Sequence, residues 1–129
     1  MTLRALMTDD STLARDVRIW NRAALRAGGA NPREGDRALA ALLAAHGLVM
    51  NGGVEHALLA LAPKELSEAA AGFRFFYFGD VADIFAAAAE SMPTEATDDS
   101  YWRSIPDDAT LMSRFRMVLD GSPEMFAPP

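Results

Sequence analysis

Two histidines, His46 and His56, stand with Glu55 as the residues best able to ligate a metal ion. A turn separates the pair, and their spacing matches no helical ligand pattern such as His-x-x-x-His. No metal site is therefore expected, and His56 reads as a core or helix-cap histidine. Paired carboxylates are the next candidates. Asp80 with Asp83, or Asp98 with Asp99, would serve acid–base catalysis only in surroundings that drive their pKa values apart. Nothing nearby does so: Asp80 and Asp83 read as a capping box and Asp98-Asp99 as solvated loop. No Gly-x-Ser-x-Gly elbow and no Gly-x-x-x-x-Gly-Lys phosphate loop occurs. Cysteine is absent, which excludes thiolate nucleophiles, disulfides and Cys-based metal sites. The sequence thus assigns no catalytic residue, no metal and no cofactor. An enzyme or small-ligand domain remains the alternative, with a pocket around His46, His56, Glu55 and Tyr77.

Charge is more informative than chemistry. The net charge is −6 over 129 residues, and it is unevenly spread. The first 64 residues hold eight basic and six acidic side chains, and the remainder four and twelve. Asp80, Asp83, Glu90, Glu95, Asp98, Asp99, Asp107 and Asp108 are joined between positions 80 and 108 by one cation, Arg103. Such a surface repels nucleic-acid phosphates and attracts basic proteins. The arginines at 15, 18, 22 and 26 read as a solvated helix face, and the overall acidity argues against direct nucleic-acid binding.

These residues need elements to hold them. Ser11 or Thr12 is expected to cap a first helix to about Ala27, with Asp9, Asp10 and Asp16 at its positive end and Leu13, Val17, Trp20 and Ala24 as its inner face. A second helix is expected from Glu34 or Asp36 to Gly47, apolar nearly all round. The turn-forming Asn51-Gly52-Gly53 then makes a corner between two apolar runs. A third helix follows it, and Pro63 opens a fourth. The aromatic run ends that helix near Phe78-Gly79, Asp80 caps the next, and residues 92–108 read as an exposed acidic connection containing at most a short helical turn. Asp107 or Asp108 caps the last helix, which Gly121 ends, and 122–129 reads as a loose tail. The fold class is all-α: a single domain of about six helices with no sheet. No apolar run reaches the roughly 18 residues that a bilayer needs. Lack of disulfides and of a secretory signal leads to an expected cytoplasmic location.

Phe73, Phe75, Phe76, Tyr77 and Phe78 crowd six positions, and one helix cannot turn them all to one core. Phe75, Phe76 and Phe78, with Trp102, are therefore expected to line an association surface, for a homodimer or for a partner protein.

Asn51-Gly52-Gly53 opening a short helix, then Lys64-Glu65-Leu66-Ser67-Glu68-Ala69, then Gly79 before a further helix, resembles the DMP19-like family of bacterial helical proteins. The likeness spans about residues 36–91. Val54 stands where that family typically has Phe, and His56 stands near its Gln position. The resemblance implies an all-helical domain, and a dimeric regulator of DNA-mimic type whose acidic surface occupies the DNA-binding face of a repressor. The carboxylates of 80–108 would be the equivalents here. From charge and resemblance together, the expected function is a non-catalytic module that binds a basic protein surface. A toxin-binding immunity-type protein is a related form of that reading.

Overall fold

The computed structural model describes residues 14–90 and 93–129. Among these, helices follow one another with no strand: α1 Arg15–Arg26, α2 Glu34–Ala60, α3 Pro63–Phe75, α4 Gly79–Ala86, α5 Glu95–Ser104 and α6 Asp108–Gly121, then a 3-10 turn at Pro123–Met125. The expected caps Ser11 and Thr12, with Asp9, Asp10 and Leu13, lie outside the described residues.

The inner face of α1 is Ile19 and Ala23; Val17 and Trp20 are half-buried and Ala24 is exposed. Its end is a left-handed turn at Ala27, where Gly28 N–H reaches the Arg22 carbonyl at 3.1 Å.

The central element is α2, against which α1, α3 and α5 pack. It does not stop at Gly47. An interior glycine costs only about 1 kcal/mol relative to Ala, and Leu42, Ala45, His46 and Val49 on either side are buried. The break falls at Gly53 alone, with φ 89° and ψ 176°, while Asn51 and Gly52 stay helical. Because α2 runs through, it contains an 18-residue window of mean hydropathy 1.3, long and apolar enough by length and composition to cross a membrane. In this fold it is the helix around which the others assemble.

Pro63 opens α3, and Glu65 Oε1 accepts the Ala62 N–H at 2.8 Å. The α2–α3 crossing is backbone to backbone. A β-carbon on Gly72 would lie 2.5 Å from the Ala38 carbonyl oxygen, so only glycine permits this approach. The helix ends at Phe75, earlier than expected, and the aromatic run leaves helical geometry. Phe73, Phe76 and Phe78 are consequently all buried, Phe75 is half-buried, and only Tyr77 faces solvent. The helical period ends at Phe75, and the chain reversal at 76–78 turns inward rings that one continuous helix would have spread around its circumference. Phe76 and Phe78 form no outer surface, and half-buried Phe75 borders the groove between α2 and α3. Phe75 and Phe76 join a cluster in which they lie 5.0 Å apart, and Phe115 lies 6.4 Å from Phe76 and 5.7 Å from Phe126, between ring centroids.

Helix α4 begins without a side-chain cap; Phe78 holds the N-cap position and Asp80 lies inside the first turn. Asp83 makes no capping box and instead pairs with Arg74 at 2.9 Å. The stretch read as an exposed connection contains α5, whose Tyr101 is fully buried. Asp107 caps α6, accepting from Thr110 N–H at 2.9 Å and from its hydroxyl at 2.8 Å. The tail is not loose, because Phe126 is buried at 1 % exposure.

Candidate interaction surface

The eight carboxylates fall into two groups. Four are engaged within the chain. Asp98 Oδ1 accepts the Val54 N–H at 2.9 Å, so α5 caps the half-helix that restarts after Gly53. Asp83 is held by Arg74, Asp107 caps its own helix, and Asp108 Oδ1 lies 3.0 Å from His46 Nε2. The Thr110 hydroxyl and N–H hold the Asp107 carboxyl below its usual range. The other four, Asp80, Glu90, Glu95 and Asp99, are exposed and make no side-chain hydrogen bond or ion pair among the described residues.

His46 organises the helices behind this surface. It is buried, and its Nδ1 sits 2.6 Å from the Tyr101 hydroxyl. Burial, aided by the charge of Asp108, pushes the Tyr101 phenol far above its ordinary range, so it stays protonated. The Asp108 carboxylate can only accept, so Nε2 donates to it, and in the neutral imidazole Nδ1 then accepts from the Tyr101 hydroxyl. This tautomer ties α2, α5 and α6 together. The row of tyrosine, imidazole and carboxylate runs from a phenol buried at 0 % exposure to the exposed Asp108 carboxylate. Trp102 is half-buried, and its ring packs edge-on to His46 at 6.3 Å.

His56 lies beyond Gly53 and does not join His46. Among the described residues no group of three or more His, Cys, Asp or Glu is placed to hold a metal ion. A groove of about 560 Å³ runs between α2 and α3 and contains neither histidine. Its walls are mainly alanines, with Glu34, Arg37 and Glu68 among them.

The cations are placed differently from the acids. Arg22 donates to buried Asp36 at 2.8 Å and to the carbonyls of Ala127 and Pro128 at 2.8 and 2.7 Å. Arg33 reaches the Glu124 and Phe126 carbonyls, Arg37 that of Pro32, and Arg114 those of Phe76 and Tyr77. Asp36 also accepts the N–H groups of Arg33 and Ala127, at 2.9 and 2.7 Å. Among the described residues, Arg22 Nε is buried without a hydrogen-bond partner. Arg22, Arg33, Arg37 and Arg114 thus serve main-chain oxygens, while Arg22, Arg74 and Arg116 pair with Asp36, Asp83 and Asp16.

Sequence reasoning missed Asp36, Arg22 and Tyr101 as organising residues. Signals existed: Asp36 stands three residues into a helix start, where carboxylates reach back to N–H groups. Asp98, Tyr101 and Ile105 recur at helical spacing inside a segment taken for a connection.

A family model described as DMP19-like protein matches residues 30–123. Comparisons with curated proteins and with solved structures give no match. The matched span takes in α2 to α6, including the Gly53 corner, the Asp98 cap and the His46 cluster, and leaves α1 outside. With that match over most of its length, and an all-helical fold built on the Asn51-Gly52-Gly53 corner, the chain belongs to the DMP19-like family.

Proposed function

We propose that this protein is a non-catalytic interaction module whose acidic half docks on a basic surface of another protein. One observation carries the reading: Asp80, Glu90, Glu95 and Asp99, on and beside α4 and α5, are exposed and make no side-chain hydrogen bond or ion pair among the described residues, and Arg103 is the one cation in that stretch of sequence. The Asp98 and His46 contacts fix α5 and the start of α6 on α2, which suits a rigid array of charge. A DNA-mimic regulator is the specific form that family membership favours, with carboxylates standing in for phosphates. A toxin-binding immunity-type protein would use the same surface, and the captured partner's identity separates the two.

The test is recovery of partners from native cell extract at low and high salt, with wild type and with Glu95→Lys/Asp99→Lys. Asp98 is unsuitable for reversal because it caps a helix. Salt-sensitive capture, lost in the double variant at unchanged Tm, supports the proposal. Equal capture by both proteins rejects it.

A second reading concerns self-association, and α2 favours it. Its apolar 18-residue window is only 33 % buried. We assign a second copy of the chain to this outer face, which includes Ala40, Ala44 and Gly47, in place of the phenylalanines. Sedimentation should give a dimer mass for wild type and a monomer for Ala44→Glu; a monomeric wild type removes this reading.

A further inference from the structure

Helix α3 ends in a Schellman motif: Phe78 N–H bonds the Phe73 carbonyl at 2.9 Å and Tyr77 N–H bonds that of Arg74 at 3.0 Å. The motif needs a left-handed residue at its turning position, where glycine is usual. Tyr77 fills it, with φ 64°. A side chain is disfavoured in that conformation. The ring returns little to the core either, since Tyr77 is 71 % exposed. A large aromatic held in solvent at a conformational cost has its use outside the chain.

The neighbours define what it takes. Arg114 Nη1 donates to the Phe76 and Tyr77 carbonyls at 3.0 and 2.9 Å, and its guanidinium lies 4.5 Å from the centre of the Phe78 ring. Arg74 is paired with Asp83. Arg74 and Arg114 are therefore engaged within the chain, and the Tyr77 carbonyl is held. Asp80, in the first turn of α4, is exposed and unpaired among the described residues. What remains is an exposed aromatic ring three residues before an exposed carboxylate, a combination that can attract a guanidinium: the cation stacks on the ring and the carboxylate offsets its charge.

We propose that Tyr77 and Asp80 form an anchor on the acidic face that takes an arginine side chain from a basic partner protein. The proposal rests on the acidic-docking reading above and adds its aromatic contact.

The probe is a nona-arginine peptide titrated into the full-length chain at low salt. Binding is read by calorimetry and by the ring NMR signals of the two tyrosines. The Tyr77 signals should move while those of buried Tyr101 stay. Tyr77→Gly should weaken binding about three- to fivefold, the effect of an exposed cation–π contact, and Tyr77→Phe should bind as wild type. The Tm of Tyr77→Gly should equal or exceed that of wild type, because glycine suits the left-handed position. Unchanged affinity in Tyr77→Gly, weakened binding in Tyr77→Phe, or a fall in Tm with Tyr77→Gly would each overturn the anchor. If Glu95→Lys/Asp99→Lys weakens peptide binding and Tyr77→Gly does not, the acidic docking face stands and the anchor alone fails. If neither weakens it, both fail.

Discussion

Replacing Asp36 with alanine should be the most damaging single change to a polar residue in this fold. Its side chain is fully buried and accepts from Arg22 Nη2, from Arg33 N–H and from Ala127 N–H. Alanine leaves a largely buried guanidinium without its anion and two amide groups without an acceptor. Breaking a buried ion pair from one side costs about 3–5 kcal/mol, against a total stability on the order of 5–15 kcal/mol. For a domain of this size that lowers Tm by roughly 11–18 °C. Arg22→Met should cost less, because Asp36 keeps both amide donors when the guanidinium is gone. Urea unfolding followed by Trp20, which packs on Phe115 at 5.6 Å, measures the loss. Hydrogen exchange at Ala127 should rise with Asp36→Ala, since its N–H is no longer held by the carboxylate. A loss below about 1 kcal/mol, the scale of an ordinary neutral hydrogen bond, or a larger loss for Arg22→Met than for Asp36→Ala, would refute the argument.

Three further outcomes follow from the geometry. Asp98→Ala removes the cap on Val54 and should cost about 0.5–2 kcal/mol by denaturant titration, with faster amide exchange at Val54. Gly72→Ala drives a β-carbon to 2.5 Å from the Ala38 carbonyl oxygen, which forces α2 and α3 apart; a loss of about 1–3 kcal/mol is expected, and a stabilised variant would show that the crossing is not limited by contact. The Arg116 hydrogen bond, helped by Val17 N–H, holds the Asp16 carboxyl below its ordinary 3.8. That link stabilises the fold above pH 3.8 and is lost as pH falls through the lowered folded-state value; Asp16→Asn should trail wild type by up to ~1 kcal/mol near neutrality and converge with it in acid.

The sequence-derived acidic surface was larger than the one the fold leaves open. Asp83, Asp98, Asp107 and Asp108 have partners inside the chain. Carboxylates at helix starts serve N–H groups as readily as they serve a ligand, and composition cannot separate the two uses. The aromatic run was misjudged for a related reason. Helical periodicity holds only while the helix continues, and here it stops at Phe75, where two main-chain carbonyls just beyond are held by Arg114.

Local sequence by itself settled the all-helical class, the break at Gly53, the Pro63 start and the acidic imbalance. Each depends on backbone preferences or formal charges that neighbouring residues already carry. Tertiary structure decided that α2 continues past Gly47, that α5 exists, and that the tail is clamped. Those outcomes rest on bonds between residues far apart in the chain: His46 to Tyr101 across 55 positions, His46 to Asp108 across 62, and Asp36 to Ala127 across 91. A polar segment such as 95–104 gains little from helix propensity alone, and it folds because Tyr101 and Ile105 find an apolar interior in which to be buried.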